Sequence, residues 1–413
     1  MDVIVKKSKI SGEVESPPSK SYAHRLIIGA FLSREPKIIK NVGKSKDVLA
    51  TLNCLKSLGL DYSYNGDDIS LKVGELTQNA ILDCNESGST LRFLLPIVCA
   101  LKVNATFTGK ERLLSRPIDD LVNTLNCNGG KVNNFKVEGN LKSGEYFINA
   151  NVSSQYITGL LFALPLLQGD SKIILQGKLV SYDYVNITLD VLKLFNVKID
   201  KTEYGYYVYG NQKYSSSSVL TCEGDYSGSA FMLVAGALGD GVLVKNLNKN
   251  SRQGDRRIIE ILKEFSAIVE EKDNGYFVKK GNLKGVTIDC EDIPDLVQII
   301  SVLASYSSGK TVLKNVSRLA VKESDRIEGI LTNLKSANVL ANYDNGNLTI
   351  YGGEVKSGKF LGFNDHRTVM SATILSAFCE GESVITDSEA VSKSYTNFFK
   401  DFIKIGGQVS GDF

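Results

Sequence analysis

Six strongly apolar stretches with helical periodicity recur along the chain, and each is followed by a short turn and a β-like segment. The β-like segments begin at nearly constant intervals of about seventy residues, which indicates an internal structural repeat. Their first residues are near Ile38, Ala105, Lys172, Val242, Thr311 and Val384. Six copies at this spacing account for almost the whole chain.

A second, amphipathic helix is predicted in each copy, for example in "KDVLATLNCLKSLGL" and "DRIEGILTNLKSANV". Apolar residues there recur every three or four positions, as a helix with one face on a core requires. Alternating segments such as "YGYYVYG" and "NLTIYGG" then predict strands that close each unit. The sequence therefore predicts six α/β units, arranged as two similar halves of three, with a boundary near Cys222 to Asp225.

The length of the chain fits this organisation, and its composition excludes some classes of partner. A chain of 413 residues with 43% hydrophobic residues is long enough for two or three domains. Its 48 basic and 46 acidic residues nearly balance, so neither nucleic acid nor an anionic membrane is an expected partner. The N-terminus lacks a secretory pattern and apolar stretches such as "GLLFALPLL" are too short to span a membrane. We expect a soluble cytoplasmic protein.

Cysteine and histidine usage gives no sign of a metal centre. The seven cysteines are scattered and never form a C-x-x-C pattern, and there are only two histidines, His24 and His366. Scattered cysteines of this kind usually serve as small buried residues, and they are typical of proteins in a reducing compartment. We therefore expect no bound metal.

Polar residues are concentrated where the six apolar helices begin. The segments "PSKS", "NESGS", "NVSSQ", "EGDYSGS", "EDIPD" and "FNDHR" all offer helix-capping residues, and a cap alone explains each of them singly. They also contain side chains with more chemistry than a cap needs, namely Lys20, Gln155, Asp295, Asp365, His366 and Arg367. Helix N-termini attract anions, so several of them together would favour an anionic ligand.

Further charged residues stand in three other segments. "GKERLLSRPID" places Arg112 and Arg116 in a loop, and "SKSYTNFF" contributes Lys393. "VKESDRIEG" contains Lys322, Glu323 and Arg326, although a solvated pattern of helix charges explains this segment equally well. Because arginine captures carboxylates and phosphates and lysine acts as a point charge, the whole set suits one or two small, highly anionic ligands.

Nine ordered segments resemble one family. They are "PPSKSYAHR", "ESGSTLRFLLP", "RLLSRPIDDL", "SSQYITGLL", "LVSYDYVNITL", "EGDYSGSA", "VKESDRIEGI", "NDHRTVMS" and "SKSYTNFF". In this order and spacing they resemble the 5-enolpyruvylshikimate-3-phosphate synthases, which are enolpyruvyl transferases. The resemblance runs from about Lys6 to the C-terminus.

The resemblance implies a fold and a domain division. The family has two similar α/β domains, each made of three βαβαββ units, in an inside-out α/β barrel arrangement. By this resemblance residues 1–18 and 223–413 form one discontinuous domain and residues 19–222 an inserted one. The chain would cross between domains at "PPSK" and "CEGD", with Lys20 entering the interdomain cleft and the prolines at a hinge.

The implied reaction transfers the enolpyruvyl group of phosphoenolpyruvate to the 5-hydroxyl of shikimate 3-phosphate, with release of phosphate from a tetrahedral ketal. Such chemistry needs general acid and base groups and a cationic binding site, but no cofactor or metal. The resemblance makes Asp295 the expected base and Glu323 the expected proton donor, with Lys20 assisting at the phosphate. His366 is expected to tune Glu323 or the leaving group.

The substrate contacts follow from the same resemblance. Shikimate 3-phosphate is expected to contact Lys20, Ser21, Arg25, Ser153, Ser154, Gln155, Ser181, Tyr184, Asp295 and Lys322. Phosphoenolpyruvate is expected to contact Lys20, Gly88, Arg116, Gln155, Arg326, His366, Arg367 and Lys393. We expect the protein to act as a monomer.

Four positions depart from the commonest bacterial pattern of the family. "PPSKS" replaces Pro-Gly-Ser-Lys-Ser, Glu86 stands where an asparagine is usual, Phe93 where a proline is frequent, and Arg318 where an asparagine often contacts the sugar phosphate. Gly88 is retained where an alanine in some members blocks glyphosate, so we expect glyphosate to inhibit the protein.

Two alternatives remain at this point. The UDP-N-acetylglucosamine enolpyruvyl transferases resemble this family, but their loop before an Arg-Pro pair usually carries a catalytic cysteine that "KERLLSRPID" lacks. A non-catalytic protein that binds phosphorylated ligands could use the same cations. Asp295 and Glu323 disfavour it, since a pure anion binder gains nothing from carboxylates in its site.

Overall fold

The computed structural model describes all 413 residues. The chain folds into two compact units. The terminal unit comprises Met1–Ser19 and Glu223–Phe413, and the inserted unit comprises Lys20–Cys222. Each unit has its own hydrophobic core.

Twenty-four strands run through the two units. In chain order they are β1 (Val3–Lys6), β2 (Ser11–Glu15), β3 (Lys37–Lys40), β4 (Leu60–Asn65), β5 (Asp68–Val73), β6 (Asn79–Asp83), β7 (Asn104–Thr108), β8 (Val132–Asn133), β9 (Lys136–Glu138), β10 (Glu145–Asn149), β11 (Ser171–Gln176), β12 (Ile199–Thr202), β13 (Gly205–Val208), β14 (Val219–Thr221), β15 (Gly241–Lys245), β16 (Ile268–Lys272), β17 (Gly275–Lys279), β18 (Thr287–Asp289), β19 (Lys310–Lys314), β20 (Leu340–Asp344), β21 (Asn347–Tyr351), β22 (Lys359–Phe360), β23 (Glu382–Ile385) and β24 (Gln408–Gly411).

Thirteen α-helices and four 3₁₀-helices connect these strands. The α-helices are α1 (Lys20–Ser33), α2 (Lys46–Ser57), α3 (Gly88–Ala100), α4 (Glu111–Leu114), α5 (Asp119–Cys127), α6 (Ser154–Ala163), α7 (Tyr182–Leu194), α8 (Tyr226–Leu238), α9 (Ile258–Glu264), α10 (Val297–Ser305), α11 (Arg326–Ser336), α12 (His366–Ser376) and α13 (Phe398–Lys404). The 3₁₀-helices are Leu164–Leu166, Gly254–Arg257, Ser317–Val321 and Ser388–Lys393.

Six four-stranded sheets, three in each unit, share one topology. In each sheet two neighbouring strands are parallel and the other two add in antiparallel fashion. In the order β6-β7-β9-β8, for example, the apolar helix α3 joins the parallel strands β6 and β7. The sheets are open, and none closes into a barrel. This confirms the predicted α/β class and its βαβαββ units, and the recurring strands begin within two residues of their predicted starts.

Strands from distant parts of the chain complete three of the sheets. In the inserted unit, β14 pairs in parallel with β3, with Val219 opposite Ile38. In the terminal unit, β2 pairs in parallel with β15, and β1 lies between β23 and β24. In each unit, therefore, at least one sheet is completed by a strand that is distant in sequence from the strands it pairs with.

The apolar helices form the interior of the units. In the terminal unit α8, α10 and α12 pack against one another, and every residue of α12 is buried. Strands such as β1 alternate buried and exposed residues, so one face covers the helices and the other faces solvent. The charged residues of the apolar helices lie within the first two turns, and only uncharged residues follow them. None of the helices combines the length and apolar character that crossing a membrane requires.

Side-chain caps fix most of these first turns. Ser87, Ser153, Asp225 and Asp365 accept hydrogen bonds from backbone N–H groups of α3, α6, α8 and α12. In α10, by contrast, Leu296 occupies the N-cap position and no side chain caps the helix. Asp295, in the "EDIPD" segment, is therefore not a cap.

Candidate active site

One arginine in the terminal unit joins three carboxylates. Arg326, the first residue of α11, has a side chain only 1% exposed. Its Nη1, Nη2 and Nε atoms lie 2.8 Å from carboxylate oxygens of Asp295, Glu323 and Asp365, respectively. Burial alone would lower the pKa of Arg326, but the three carboxylates raise it above its ordinary value. The structure thus brings the predicted base and the predicted acid to the same guanidinium.

Asp365 is the least exposed member of this group, and the predicted site omitted it. Its Oδ1 accepts the Arg367 backbone N–H at 2.9 Å, and its Oδ2 accepts the Ser324 hydroxyl at 3.1 Å in addition to Arg326. Burial raises the pKa of Asp365, but Arg326 and then His366 outweigh burial and hold that pKa below its ordinary value. The sequence marked Asp365 as a residue with more chemistry than a cap needs, but nothing in the "NDHR" segment identifies Arg326 as its partner.

The other predicted residues of the terminal unit lie close to Asp295 or to Asp365. Arg367 Nη2 lies 3.3 Å from Asp295 Oδ2, and Lys322 Nζ lies 3.7 Å from Asp295 Oδ1. His366 Nδ1 is 3.9 Å from Asp365, and Lys393 donates to a backbone carbonyl just before α12. Burial lowers the pKa of Lys322, and Asp295 opposes that effect. All seven predicted residues of this unit therefore lie around the starts of α11 and α12.

Asp255, in the 3₁₀-helix Gly254–Arg257, is a further titratable group that sequence reasoning missed. It is 4% exposed. Burial, together with the charge of Asp295, raises the pKa of Asp255 to about 7, although Arg367 opposes the shift. A carboxyl group beside the predicted base is thus balanced between its two protonation states near neutral pH.

A buried arginine without a carboxylate partner marks the inserted unit. Arg25 is 2% exposed and donates to the Thr188 hydroxyl at 2.8 Å and to the carbonyls of Ser21 at 2.8 Å and Tyr184 at 3.0 Å. Burial lowers the pKa of Arg25 to about 10. The Phe93 ring lies 4.9 Å from its guanidinium carbon, so this departure from the family pattern packs on a predicted substrate residue. The uncompensated charge makes this region attractive to an anion.

Two more guanidinium groups meet at the start of α3. A Cβ atom on Gly88 would lie 2.8 Å from Nη1 of both Arg116 and Arg92. Arg92 Nη1 also donates to Gln155 Oε1 at 2.8 Å, whereas Arg116 Nε is buried without a hydrogen-bond partner. Arg92 was absent from the predicted site because its position within an apolar helix resembled ordinary core sequence. Together these groups form a cationic site at a helix N-terminus.

Replacing Gly88 with alanine tests this cationic site. The added methyl group meets the far ends of two arginine side chains. We therefore expect the KM for phosphoenolpyruvate, the ligand that the family resemblance assigns to Gly88, to rise about tenfold or more, a cost of about 1.4 kcal/mol. The KM for shikimate 3-phosphate and the stability should change little, because alanine suits a helix. Steady-state kinetics against each substrate measure the difference. Gly329→Ala is the matched control, since its methyl group meets nothing closer than 3.6 Å, and equal effects of both variants would contradict the assignment.

The predicted lysine of α1 is held by a carboxylate. Lys20 Nζ lies 2.9 Å from Asp47 Oδ2 of α2, and their side chains are 17% and 15% exposed. Glu86, another departure from the family pattern, lies 2.8 Å from Lys110 Nζ, which partly balances its charge. Asp47 is a site residue that the sequence did not reveal, because α2 showed only an amphipathic pattern.

The remaining predicted residues of the inserted unit also lie at helix starts. Ser153 caps α6 by accepting the Gln155 N–H at 3.3 Å, and Ser154 is 5% exposed. Ser181 precedes α7 with a left-handed φ of 53°, and it is 3% exposed.

Arg318, the last of the departures from the family pattern, lies in the terminal unit. It belongs to the 3₁₀-helix Ser317–Val321, and its positive charge lowers the pKa of Lys322.

Known proteins resemble this chain over nearly its full length. The sequence model of the EPSP synthase family, described as 3-phosphoshikimate 1-carboxyvinyltransferase, matches residues 4–402. A 3-phosphoshikimate 1-carboxyvinyltransferase of Clostridium novyi is 41% identical over 97% of this chain and 96% of its own length. One from Clostridium kluyveri is 40% identical over 98% of both chains.

Solved structures share the fold. An EPSP synthase from Acinetobacter baumannii superposes with a TM-score of 0.84 at 21% identity, over 99% of this chain and all of the other. The enolpyruvyl transferase NikO from Streptomyces tendae gives a TM-score of 0.81 at 13% identity, over 99% of this chain and 98% of the other. With the family match and the curated relatives, these likenesses agree with the residues gathered in each unit: the chain belongs to the EPSP synthase family.

Proposed function

We propose that this protein transfers the enolpyruvyl group of phosphoenolpyruvate to the 5-hydroxyl of shikimate 3-phosphate and releases phosphate. Membership of the EPSP synthase family supports this reaction. The structural observation that carries the proposal is the guanidinium of Arg326, which holds Asp295 and Glu323 at 2.8 Å each. An acid and a base held in one place are what addition of a hydroxyl group to the double bond of an enol phosphate requires.

The chemistry assigns a separate task to each group. Asp295 accepts the proton of the 5-hydroxyl as that oxygen attacks C2 of phosphoenolpyruvate, while Glu323 protonates the methylene carbon C3. Phosphate leaves from the tetrahedral ketal with help from Lys20, and His366 tunes the acid or the leaving group. When C3 loses a proton again, the double bond is restored and Glu323 recovers its proton. No redox step or cofactor enters this sequence.

The proposed substrate contacts comprise basic side chains, hydroxyl groups and other polar residues. For shikimate 3-phosphate these contacts are Lys20, Ser21, Arg25, Ser153, Ser154, Gln155, Ser181, Tyr184, Asp295 and Lys322. For phosphoenolpyruvate they are Lys20, Gly88, Arg116, Gln155, Arg326, His366, Arg367 and Lys393. Preorganised cations and N–H donors of this kind stabilise the charge that develops on the ketal and on phosphate.

Phosphate release from the purified protein tests the reaction. We expect release only when phosphoenolpyruvate and shikimate 3-phosphate are both present, together with a product of the enolpyruvyl mass. Release with UDP-N-acetylglucosamine instead would assign the other enolpyruvyl transfer. Binding without release would identify a phospholigand-binding protein.

Glyphosate should inhibit this activity. Gly88 leaves the cationic site open beside Arg116 and Arg92, where an added methyl group would intrude. We expect inhibition that phosphoenolpyruvate relieves and that Gly88→Ala weakens. Initial rates at several phosphoenolpyruvate concentrations measure it, and an unchanged rate at millimolar glyphosate would contradict the expectation.

We also propose that the protein works as a monomer in the cytoplasm. All seven cysteines are free thiols and six of them are buried, as is usual in a reducing compartment. Every assigned residue comes from one chain, so a single copy can supply the reaction. Light scattering of the purified protein measures its mass in solution.

A further inference from the structure

The guanidinium of Arg326 is already occupied on all three of its nitrogens. A guanidinium has five N–H donors in one plane, and here each nitrogen donates to a different carboxylate. The side chain is only 1% exposed. One N–H group on each Nη donates to none of these carboxylates, but the side chain is buried and three negative charges already surround it. A substrate carboxylate, which binds arginine best through two parallel hydrogen bonds, therefore pairs with Arg326 at least cost when one resident carboxylate moves away.

The three carboxylates differ in how easily they can move. Asp365 is fully buried and also caps α12, and Asp295 is 16% exposed and bound by Arg367 as well. Glu323 is 23% exposed and has the longer side chain. It also belongs to the segment between the 3₁₀-helix Ser317–Val321 and α11, outside both helices. Glu323 is therefore the carboxylate that an incoming substrate can displace at least cost.

We propose that the carboxylate of phosphoenolpyruvate displaces Glu323 from Arg326, and that Glu323 takes up a proton from solvent as it leaves. This inference rests on the proposed function and adds to it the step that prepares the acid. A glutamate paired with arginine is ionised and cannot donate a proton. When the carboxylate of phosphoenolpyruvate replaces Glu323 on Arg326, Glu323 becomes the neutral acid that protonation of C3 requires.

Charge balance around Arg326 favours this uptake. Three carboxylates, Asp295, Glu323 and Asp365, face three cations, Arg326, Arg367 and Lys322, so the closest charges nearly cancel. Phosphoenolpyruvate adds both a carboxylate and a phosphate to this balance. Ionised Glu323 then loses its arginine and faces new negative charge, and both changes favour its protonated form.

Other titratable groups also face this cluster from the elements packed around α11. They are Asp255 in the 3₁₀-helix Gly254–Arg257, Arg318 in Ser317–Val321, His366 at the start of α12 and Lys393 at the end of Ser388–Lys393. Of these, Asp255 exchanges protons near neutral pH, because burial raises its pKa to about 7, and an imidazole such as that of His366 ordinarily titrates in the same range. The test must therefore separate Glu323 from both.

The proton balance closes over one turnover. Glu323 gains a proton from solvent on binding, gives it to C3 as the C2–O bond forms, and recovers it when C3 loses a proton and the C–O bond to phosphate breaks. The proton of the 5-hydroxyl passes to Asp295 and leaves with phosphate. On product release Glu323 returns to Arg326 and gives its proton back to solvent.

Calorimetry in buffers of different ionisation enthalpy measures the uptake directly. The probe is phosphoenolpyruvate, titrated at about pH 8 into protein saturated with 5-deoxyshikimate 3-phosphate, which lacks the attacking hydroxyl and so cannot react. We expect about one proton taken up per phosphoenolpyruvate bound, and hence weaker binding as the pH rises. In Glu323→Gln we expect binding to persist with the uptake lost, whereas Asp255→Asn and His366→Asn should retain the uptake.

A measurement on the unmodified chain covers the case in which a variant does not fold. Infrared difference spectra on adding phosphoenolpyruvate should show a new band of a protonated carboxyl group, and labelling all glutamates with ¹³C should shift that band. An unshifted band, no band, or the same uptake in Glu323→Gln as in the wild type would overturn the proposal. Phosphate release from the two natural substrates, measured separately, shows whether the proposed function itself holds.

Discussion

Glu323→Gln is expected to lower turnover by about 10²–10⁴-fold while shikimate 3-phosphate binding stays nearly unchanged. Glutamine keeps the size of the side chain and can still accept a hydrogen bond from Arg326, but it cannot donate a proton to carbon. The loss should therefore appear in kcat rather than in affinity. Rapid-quench measurement of product, with calorimetry of shikimate 3-phosphate binding, separates the two quantities.

The matched control for this variant is Glu328→Gln. Glu328 lies five residues further along, in the first turn of α11, and its exposed side chain undergoes the same change of charge. We expect it to retain full turnover. An equal loss of binding and turnover in Glu323→Gln would show that Glu323 has a structural role instead.

Arg326→Met is expected to cost about 3–5 kcal/mol of unfolding free energy, in addition to activity. Methionine fills part of the volume but leaves Asp295, Glu323 and Asp365 without the buried cation that each now contacts at 2.8 Å. Removal of one partner from a buried ion pair leaves uncompensated charge in a poorly solvated place. Denaturant unfolding followed by circular dichroism measures the change.

Arg257→Met provides the comparison for stability. Arg257 pairs with Glu264 at the surface, where both side chains are about two-fifths exposed. An exposed ion pair of this kind contributes about 0–1 kcal/mol. Similar losses in both variants would mean that the Arg326 cluster is not the specially stabilised group that its burial indicates.

The periodic part of the fold could be predicted from sequence because it depends on local chemistry. Apolar runs such as that of α8 remain helical and buried in any arrangement that surrounds them. Strand starts followed from the constant spacing of the repeats. A polar segment before a helix is more ambiguous, since "EDIPD" looked like a cap but places Leu296 at the N-cap position and leaves Asp295 for Arg326 and Arg367.

The candidate site residues also fall into two groups, those that sequence motifs identify and those that only the structure reveals. Those in the family's motifs, such as Glu323 and Gln155, could be named from sequence, and the structure shows where each lies within its unit. Asp47, Arg92 and Asp255 were missed because their partners are distant in sequence and no local pattern identifies them. Only tertiary contacts distinguish such residues from ordinary surface or core positions.

The pairing of β1 with β23 and β24, which lie at the opposite end of the chain, sets an order in which the two units can be completed during synthesis. The inserted unit is continuous, so it has all its strands once Thr221 has left the ribosome. The terminal unit must hold β1 without its neighbours until β23 and β24 are made, almost 400 residues later. Because contacts so distant in sequence form slowly, we expect the β1 segment of the nascent chain to stay open to proteases and chaperones until β23 and β24 are made.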